Sequence, residues 1–174
     1  MLEVAKHFPT YHFVVAKAPG LDENFYYELL ASHSNVSSVI NKTYELLAQA
    51  KAALVTSGTA TLETALFGVP EVICYKGNGL SYQLAKRLIK IKYIGLVNLI
   101  MDKEVVKELI QQQLTAENLQ NELQELLVNV SRQKQLKEDY TALKKLLSEG
   151  GRASANAAGS IYDFLVEATK TQGH

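Results

Sequence analysis

The stretch of this 174-residue chain best suited to chemistry is Ser57-Gly58-Thr59-Ala60-Thr61-Leu62-Glu63, which follows the apolar run Ala53-Leu54-Val55-Thr56. A strand that turns through Ser57-Gly58 into a short helix offers an anion site. Glycine lets a ligand approach the backbone, and the first helical amides have no acceptor of their own. The positive end of the helix dipole and the Ser57, Thr59 and Thr61 hydroxyls add to that, so a pyrophosphate can be held there without a metal. Glu63 falls one turn beyond Thr59 on the same helix face, where its carboxylate can accept both hydroxyls of a ribose. The same spacing also describes an ordinary capped helix, in which a Ser or Thr precedes the first turn and an acid follows three or four residues on. Spacing alone leaves both readings open.

Other side chains are weaker candidates. Asn98 and Gln111 carry amides able to read a uracil edge or sugar hydroxyls, and Glu108 could orient them or the donor sugar; each also fits an ordinary helix or loop position. Lys86, Arg87, Lys90 and Lys92 gather positive charge on and after a segment whose Leu80, Leu84, Leu88 and Ile91 form an apolar stripe. That cluster reads as a solvated cationic face, as a phosphate contact through Arg87, or as a patch resting on an anionic membrane surface. His7, His12, His33 and His174 show no metal-ligand spacing, and the single Cys74 lies in an apolar run as a buried thiol, so no metal and no histidine base are expected. No cofactor is expected either.

These candidates must be held by a frame, and the sequence suggests which. Short apolar runs at Tyr11 to Ala16, Val36 to Ile40, Ala52 to Thr56 and Glu71 to Tyr75 read as strands, with helices between them. Runs as apolar as Phe13-Val14-Val15-Ala16 fit strands covered on both faces, which implies an α/β fold: a Rossmann-like, doubly wound parallel sheet with helices on both faces. The chain opens on a helix, Leu2 to His7, with no strand before it, so the sheet is expected to lack its first strand. Beyond Ile100 helical patterns follow one another with no clear strand, and Leu136, Tyr140, Leu143 and Leu147 recur at helical spacing. After Gly150-Gly151 a helix resumes over Arg152 to Glu167, with Ala153, Ala157 and Ser160 on one stripe suited to close packing. The expected organisation is a nucleotide-binding core over residues 1–112 and packed carboxy-terminal helices over 113–174. Lys plus Arg and Asp plus Glu both total 18, so bulk charge does not argue for nucleic acid. No stretch approaches the roughly 20 apolar residues of a membrane span, and the amino terminus does not read as a signal peptide, which points to the cytoplasm.

The block Ser57 to Glu63 resembles the donor site of the lipid-A-disaccharide synthase family. The resemblance continues in family order through Val69-Pro70, the strand ending in Tyr75, Leu84-Ala85-Lys86-Arg87, Tyr93 to Asn98 and Glu108 to Gln111, and upstream through Phe8-Pro9, Phe13 to Ala16 and Ala18-Pro19. It is dense over roughly the first two thirds of the chain. Val97 and Lys107 stand where many members have proline. The resemblance implies the carboxy-terminal half of a GT-B glycosyltransferase, with Ser57, Gly58, Thr59, Thr61, Glu63, Tyr75, Arg87, Asn98, Glu108 and Gln111 as donor-side residues. It also implies an absent Pro-Gly-Ser-Arg phosphate loop ahead of residue 1. The implied reaction moves a 2,3-diacylglucosamine unit from UDP to 2,3-diacylglucosamine 1-phosphate, by inversion and with the base in the amino-terminal half, so that the fragment alone is inactive. The implied partners are a UDP-sugar donor, a lipid sugar-phosphate acceptor, the amino-terminal half, a membrane surface on the inner face of the inner membrane and, left open, a second copy. Two other readings stay open: a UDP-sugar 2-epimerase-like domain, whose usual second Gly and Glu-Glu pair are absent after Gly58, and a non-catalytic α/β interaction module.

Overall fold

The computed structural model describes residues 1–17, 20, 23–56, 58–77, 92–149 and 153–171. Among them the elements run α1 (Leu2–Ala5), β1 (Phe13–Lys17), α2 (Glu23–Leu30), β2 (Val36–Ile40), α3 (Thr43–Leu47), β3 (Ala53–Thr56), α4 (Thr59–Leu66) and β4 (Glu71–Tyr75). There follow α5 (Leu96–Met101), β5 (Lys107–Ile110), a 3-10 turn (Gln111–Gln113), α6 (Ala116–Val128), α7 (Val130–Glu149) and α8 (Ala153–Thr171). Every strand pairing is parallel, and helices alternate with strands, which is the α/β architecture expected from the apolar runs.

The described strands form two ladders, β1-β2 and β3-β4-β5. In the second, Thr56 lies opposite Cys74 and Tyr75 opposite Ile110, so the carboxyl ends of its three strands finish close to level. Strand β4 is central and its first four residues are buried, as a strand covered on both faces must be. Helix α4 packs on β3, β4 and α5, and α6 packs on β4, β5 and α1.

Strand β5 was not expected, since the sequence beyond Ile100 reads as helical. Its four residues, Lys107-Glu108-Leu109-Ile110, open on two charged side chains, too short and too polar for strand periodicity to show. The pairing with β4 decides the conformation, and the polar side chain that must be buried, Glu108, finds its partners elsewhere in the fold.

Polar ties close the frame. One amide nitrogen, Asn35 Nδ2, donates towards three carbonyls, Ala5 O at 2.9 Å, Phe8 O at 3.2 Å and Tyr11 O at 3.2 Å, and so fastens the exit of α1 to the start of β2. Thr115 caps α6 by accepting from the Asn118 amide at 3.1 Å. Along α7, Arg132 donates to Val105 O at 2.8 Å, Asp139 pairs with Lys103, and the Tyr140 hydroxyl donates to Val69 O at 3.2 Å.

Met1–Tyr140 forms one compact unit and Thr141–His174 a second. Of the stripe singled out in α7, Leu136, Tyr140 and Leu143 are buried, and Leu147 is 37% exposed. The small-residue stripe expected to pack closely in α8 is exposed at Ala157 and Ser160. Among the described residues no helix is long and apolar enough to cross a membrane.

Candidate functional site

The carboxyl edge of the β3-β4-β5 ladder gathers three of the residues singled out by sequence. Gly58 stands two residues past the end of β3, Tyr75 is the last residue of β4, and Gln111 directly follows β5. In parallel α/β sheets this edge is where ligands bind, because the strands deliver their loops there and the helices present their amino ends. Ser57 and Arg87 lie outside the described residues, as do Lys86 and Lys90.

Gly58 adopts φ 141°, ψ −165°, a backbone that side-chain-bearing residues rarely reach. Among the described residues a Cβ built there would meet nothing within 4 Å, so the glycine is required by its conformation and not by crowding. Among the described residues no side chain caps α4. The helix is fastened instead by Thr61, fully buried, whose hydroxyl donates to Gly58 O at 2.8 Å. That hydroxyl therefore shapes the turn from within. Thr59 is exposed and Glu63 half-buried on the other side of the helix from Thr61, Thr64 and Ala65, which are buried. The one-turn spacing of Thr59 and Glu63 is thus realised on a solvent-facing surface.

Gln111 combines two departures from an ordinary loop residue. Its φ is 52°, uncommon for a residue with a side chain, and its Nε2 is buried with no partner among the described residues. Each departure carries a cost, about 1–2 kcal/mol for the left-handed backbone and about 1–3 kcal/mol for the unmet donor. Residues that hold such strain cluster at ligand sites.

Asn98 and Glu108 are placed differently. Asn98 is fully buried; its Nδ2 donates to Val106 O at 2.8 Å and to Glu108 Oε1 at 2.9 Å, and its Oδ1 accepts from the Val105 and Val106 amides at 2.8 and 3.0 Å. Glu108 in turn accepts from the Ile94 amide at 2.9 Å and the Gly95 amide at 3.0 Å. The hydrogen-bonding capacity of the Asn98 amide is spent within the chain, which leaves it no free donor or acceptor for a base or sugar. Glu108 does orient Asn98, and together they clasp the start of α5 to β5.

Sequence reading missed Gly95. A Cβ there would fall 2.1 Å from Ile73 Cδ1 and 3.2 Å from Glu108 Oε1, so any side chain would push the buried Ile73 aside where the clasp closes over β4. The glycine inside Tyr93-Ile94-Gly95-Leu96 was the available signal. Burial pushes the Cys74 thiol up to about 11, which keeps it protonated and inert. Among the described residues no three His, Cys, Asp or Glu side chains come together in a way that would hold a metal.

The sequence profile of lipid-A-disaccharide synthetase matches residues 1–161. Among curated proteins, the lipid-A-disaccharide synthase of Syntrophus aciditrophicus is 37% identical over 151 residues, covering 86% of this chain and 39% of that protein. That of Geobacter sulfurreducens is 32% identical over 164 residues, covering 94% and 42%, and that of Geobacter metallireducens 34% identical over 170 residues, covering 95% and 44%. The chain therefore spans about two fifths of the length of these relatives. With the match running almost end to end along this sequence, the chain belongs to the lipid-A-disaccharide synthetase family.

Proposed function

We propose that this chain is the donor-binding half of a glycosyltransferase that moves 2,3-diacylglucosamine from its UDP derivative to 2,3-diacylglucosamine 1-phosphate. The observation that carries this reading is the alignment of Gly58, Tyr75 and Gln111 along one carboxyl sheet edge, with the unmet Gln111 amide among them. The diphosphate sits over the Ser57-Gly58-Thr59 turn, where the free amides of α4 meet it, and Glu63 takes the ribose hydroxyls. Gln111 supplies a donor to the sugar or base, and Tyr75 lines the same edge. Arg87 is assigned to a substrate phosphate. Thr61, Asn98 and Glu108 act by holding the turn and the α5–β5 junction in place.

In the reaction the acceptor hydroxyl attacks the anomeric carbon of the donor from the face opposite the diphosphate, the bond from that carbon to the phosphate oxygen breaks, and configuration inverts. Charge grows on the departing UDP, and amides fixed in advance around it stabilise that charge. The proton of the acceptor hydroxyl goes to a base in the part of the relatives' length that this chain does not match. Residues 1–112 act as the nucleotide-binding core and 113–174 as its carboxy-terminal helices. The fragment alone is inactive, and the assembled enzyme works peripherally at the inner face of the inner membrane, where its lipid substrates lie, with a homodimer as one arrangement.

Calorimetric titration with UDP tests the reading. Saturable binding is expected, weakened by about 1–3 kcal/mol in Glu63→Ala and in Gln111→Ala. Binding that ignores Glu63→Ala removes the ribose assignment. A folded chain that takes up no UDP removes the claim that these residues suffice for the donor.

A further inference from the structure

We propose that the outer edge of β5, with the polar stripe of α6 beside it, is a docking site for an extended, basic segment of a partner protein. The segment adds to the sheet as a strand and sends a Lys or Arg side chain into the cavity between β5 and α6. The inference rests on backbone direction and local charge and does not depend on the nucleotide reading.

One contact fixes which backbone groups face outwards. In a parallel ladder a residue's N–H and C=O point to the same side, and successive residues alternate. Ala53 N donates to Pro70 O at 2.8 Å, so Pro70, Val72 and Cys74 face β3, and Glu71, Ile73 and Tyr75 face β5. Val72 lies opposite Lys107 and Cys74 opposite Leu109, which makes Lys107 and Leu109 the residues that bond back to β4. The N–H and C=O of Glu108 and Ile110 therefore point away from the sheet. Val106, two residues before Glu108 on the same side, shows what this row accepts. Asn98 Oδ1 takes its N–H at 3.0 Å and Asn98 Nδ2 donates to its C=O at 2.8 Å, as a neighbouring strand would. Among the described residues no strand continues that pairing past Glu108, and Ile110 keeps an extended backbone, φ −110° and ψ 131°.

The side chains beside the row are polar and acidic. A cavity of about 180 Å³ is lined by Lys107, Leu109, Gln113, Asn118, Asn121 and Glu122. Leu109 is buried and apolar, Lys107 is held by Glu104 at 3.0 Å, and Asn118 Nδ2 is spent on Gln113 O at 2.8 Å. Asn118 Oδ1, the Asn121 amide and the Glu122 carboxylate have no partner among the described residues. Asn118, Asn121, Glu122 and Glu125 follow one another at helical spacing, a stripe of α6 apart from its buried Leu119, Leu123 and Leu126. The charged residues of α6, Glu117, Glu122 and Glu125, are all acidic.

These features select the occupant. Residues directly opposite each other on paired strands share a face, so the residue of an added strand opposite Leu109 points towards α6 and enters the cavity. A Lys or Arg there lays its methylene stem on Leu109, brings its cation to Glu122 and donates to Asn118 Oδ1. Main-chain pairing with Glu108 and Ile110 holds the segment, and the cavity chooses its side chain. A second copy of this chain fits less well, because antiparallel pairing of two β5 edges sets two acidic α6 stripes side by side.

The test titrates the full chain with the peptide acetyl-Thr-Val-Lys-Val-Thr-amide and follows backbone amides by NMR. The Glu108 and Ile110 amide signals should shift, with a dissociation constant of about 1 mM or below. The same peptide with Glu in place of Lys should bind about tenfold or more weakly, as should the original peptide to Glu122→Lys. The peptide variant leaves the protein untouched, so its result stands whatever Glu122→Lys does to folding. Unmoved Glu108 and Ile110 signals at about 10 mM peptide overturn the proposal. Shifts confined to the edge of β2, or equal binding of the Lys and Glu peptides, overturn it too. A dimer in sedimentation whose Glu108 and Ile110 amides are protected without peptide overturns it in favour of a second copy.

Discussion

Glu71 and Glu108 are buried carboxyls on neighbouring strands of one sheet, and they are accommodated in opposite ways. Glu108 accepts from two backbone amides and from Asn98, whereas both oxygens of the fully buried Glu71 lack a partner among the described residues. Burial pushes the Glu71 carboxyl up to about 9, so it is carried as a neutral acid at neutral pH. Beside it the Tyr140 phenol is also raised, first by its own burial and then by Glu71. Burial alone therefore does not mark a functional carboxyl in this sheet. What distinguishes Glu108 is the set of donors assembled around it, which makes it part of the frame behind the candidate site.

The sharpest way to break the comparison is Glu108→Ala, which leaves the Ile94 and Gly95 amides and Asn98 Nδ2 short of an acceptor. A loss of about 3–5 kcal/mol is expected in urea unfolding. Glu71→Met should act in the other direction. With the folded-state value near 9 and the ordinary value 4.5, the ionisation of Glu71 costs nothing below pH 4.5, and stability falls as pH rises from there to about 9. The variant should flatten that slope and gain about 2–4 kcal/mol at pH 8; an unchanged pH profile would mean that Glu71 ionises freely in the folded chain. Gly95→Ala pushes a methyl group against Ile73 and should cost about 1–3 kcal/mol through overpacking, read as a fall in Tm. Thr61→Val removes one hydrogen bond to Gly58 O and should cost about 1 kcal/mol, while its larger effect falls on UDP affinity if the turn loosens.

Four of the five strands among the described residues were legible because each is an apolar run flanked by turn residues, and the parallel α/β class followed from them. Strand β5 was not, because a strand of four residues with Lys107 and Glu108 in it carries no period; the partners that make it tolerable, Ile94, Gly95 and Asn98, lie 10 to 14 residues upstream. At the candidate site, the order of Gly58, Thr59 and Glu63 was visible in the sequence, but the division of labour was not. Nothing in Ser57 to Glu63 says that Thr61 turns inward to Gly58 O while Thr59 faces out. Nor does Glu108 to Gln111 reveal that Asn98 and Glu108 satisfy each other, or that Gln111 sits at positive φ. Those facts depend on contacts between segments distant in sequence.

The two-ladder arrangement has a consequence for synthesis on the ribosome. Parallel pairing joins segments far apart in the chain, so β1 meets its partner only when residues 36–40 have been made, and β3 only when residues 71–75 have. At about 5–20 residues per second each partner arrives roughly 1–4 s after the strand it pairs with. During that interval the apolar edge of β1 faces solvent in the nascent chain, and chaperone capture should be most effective there.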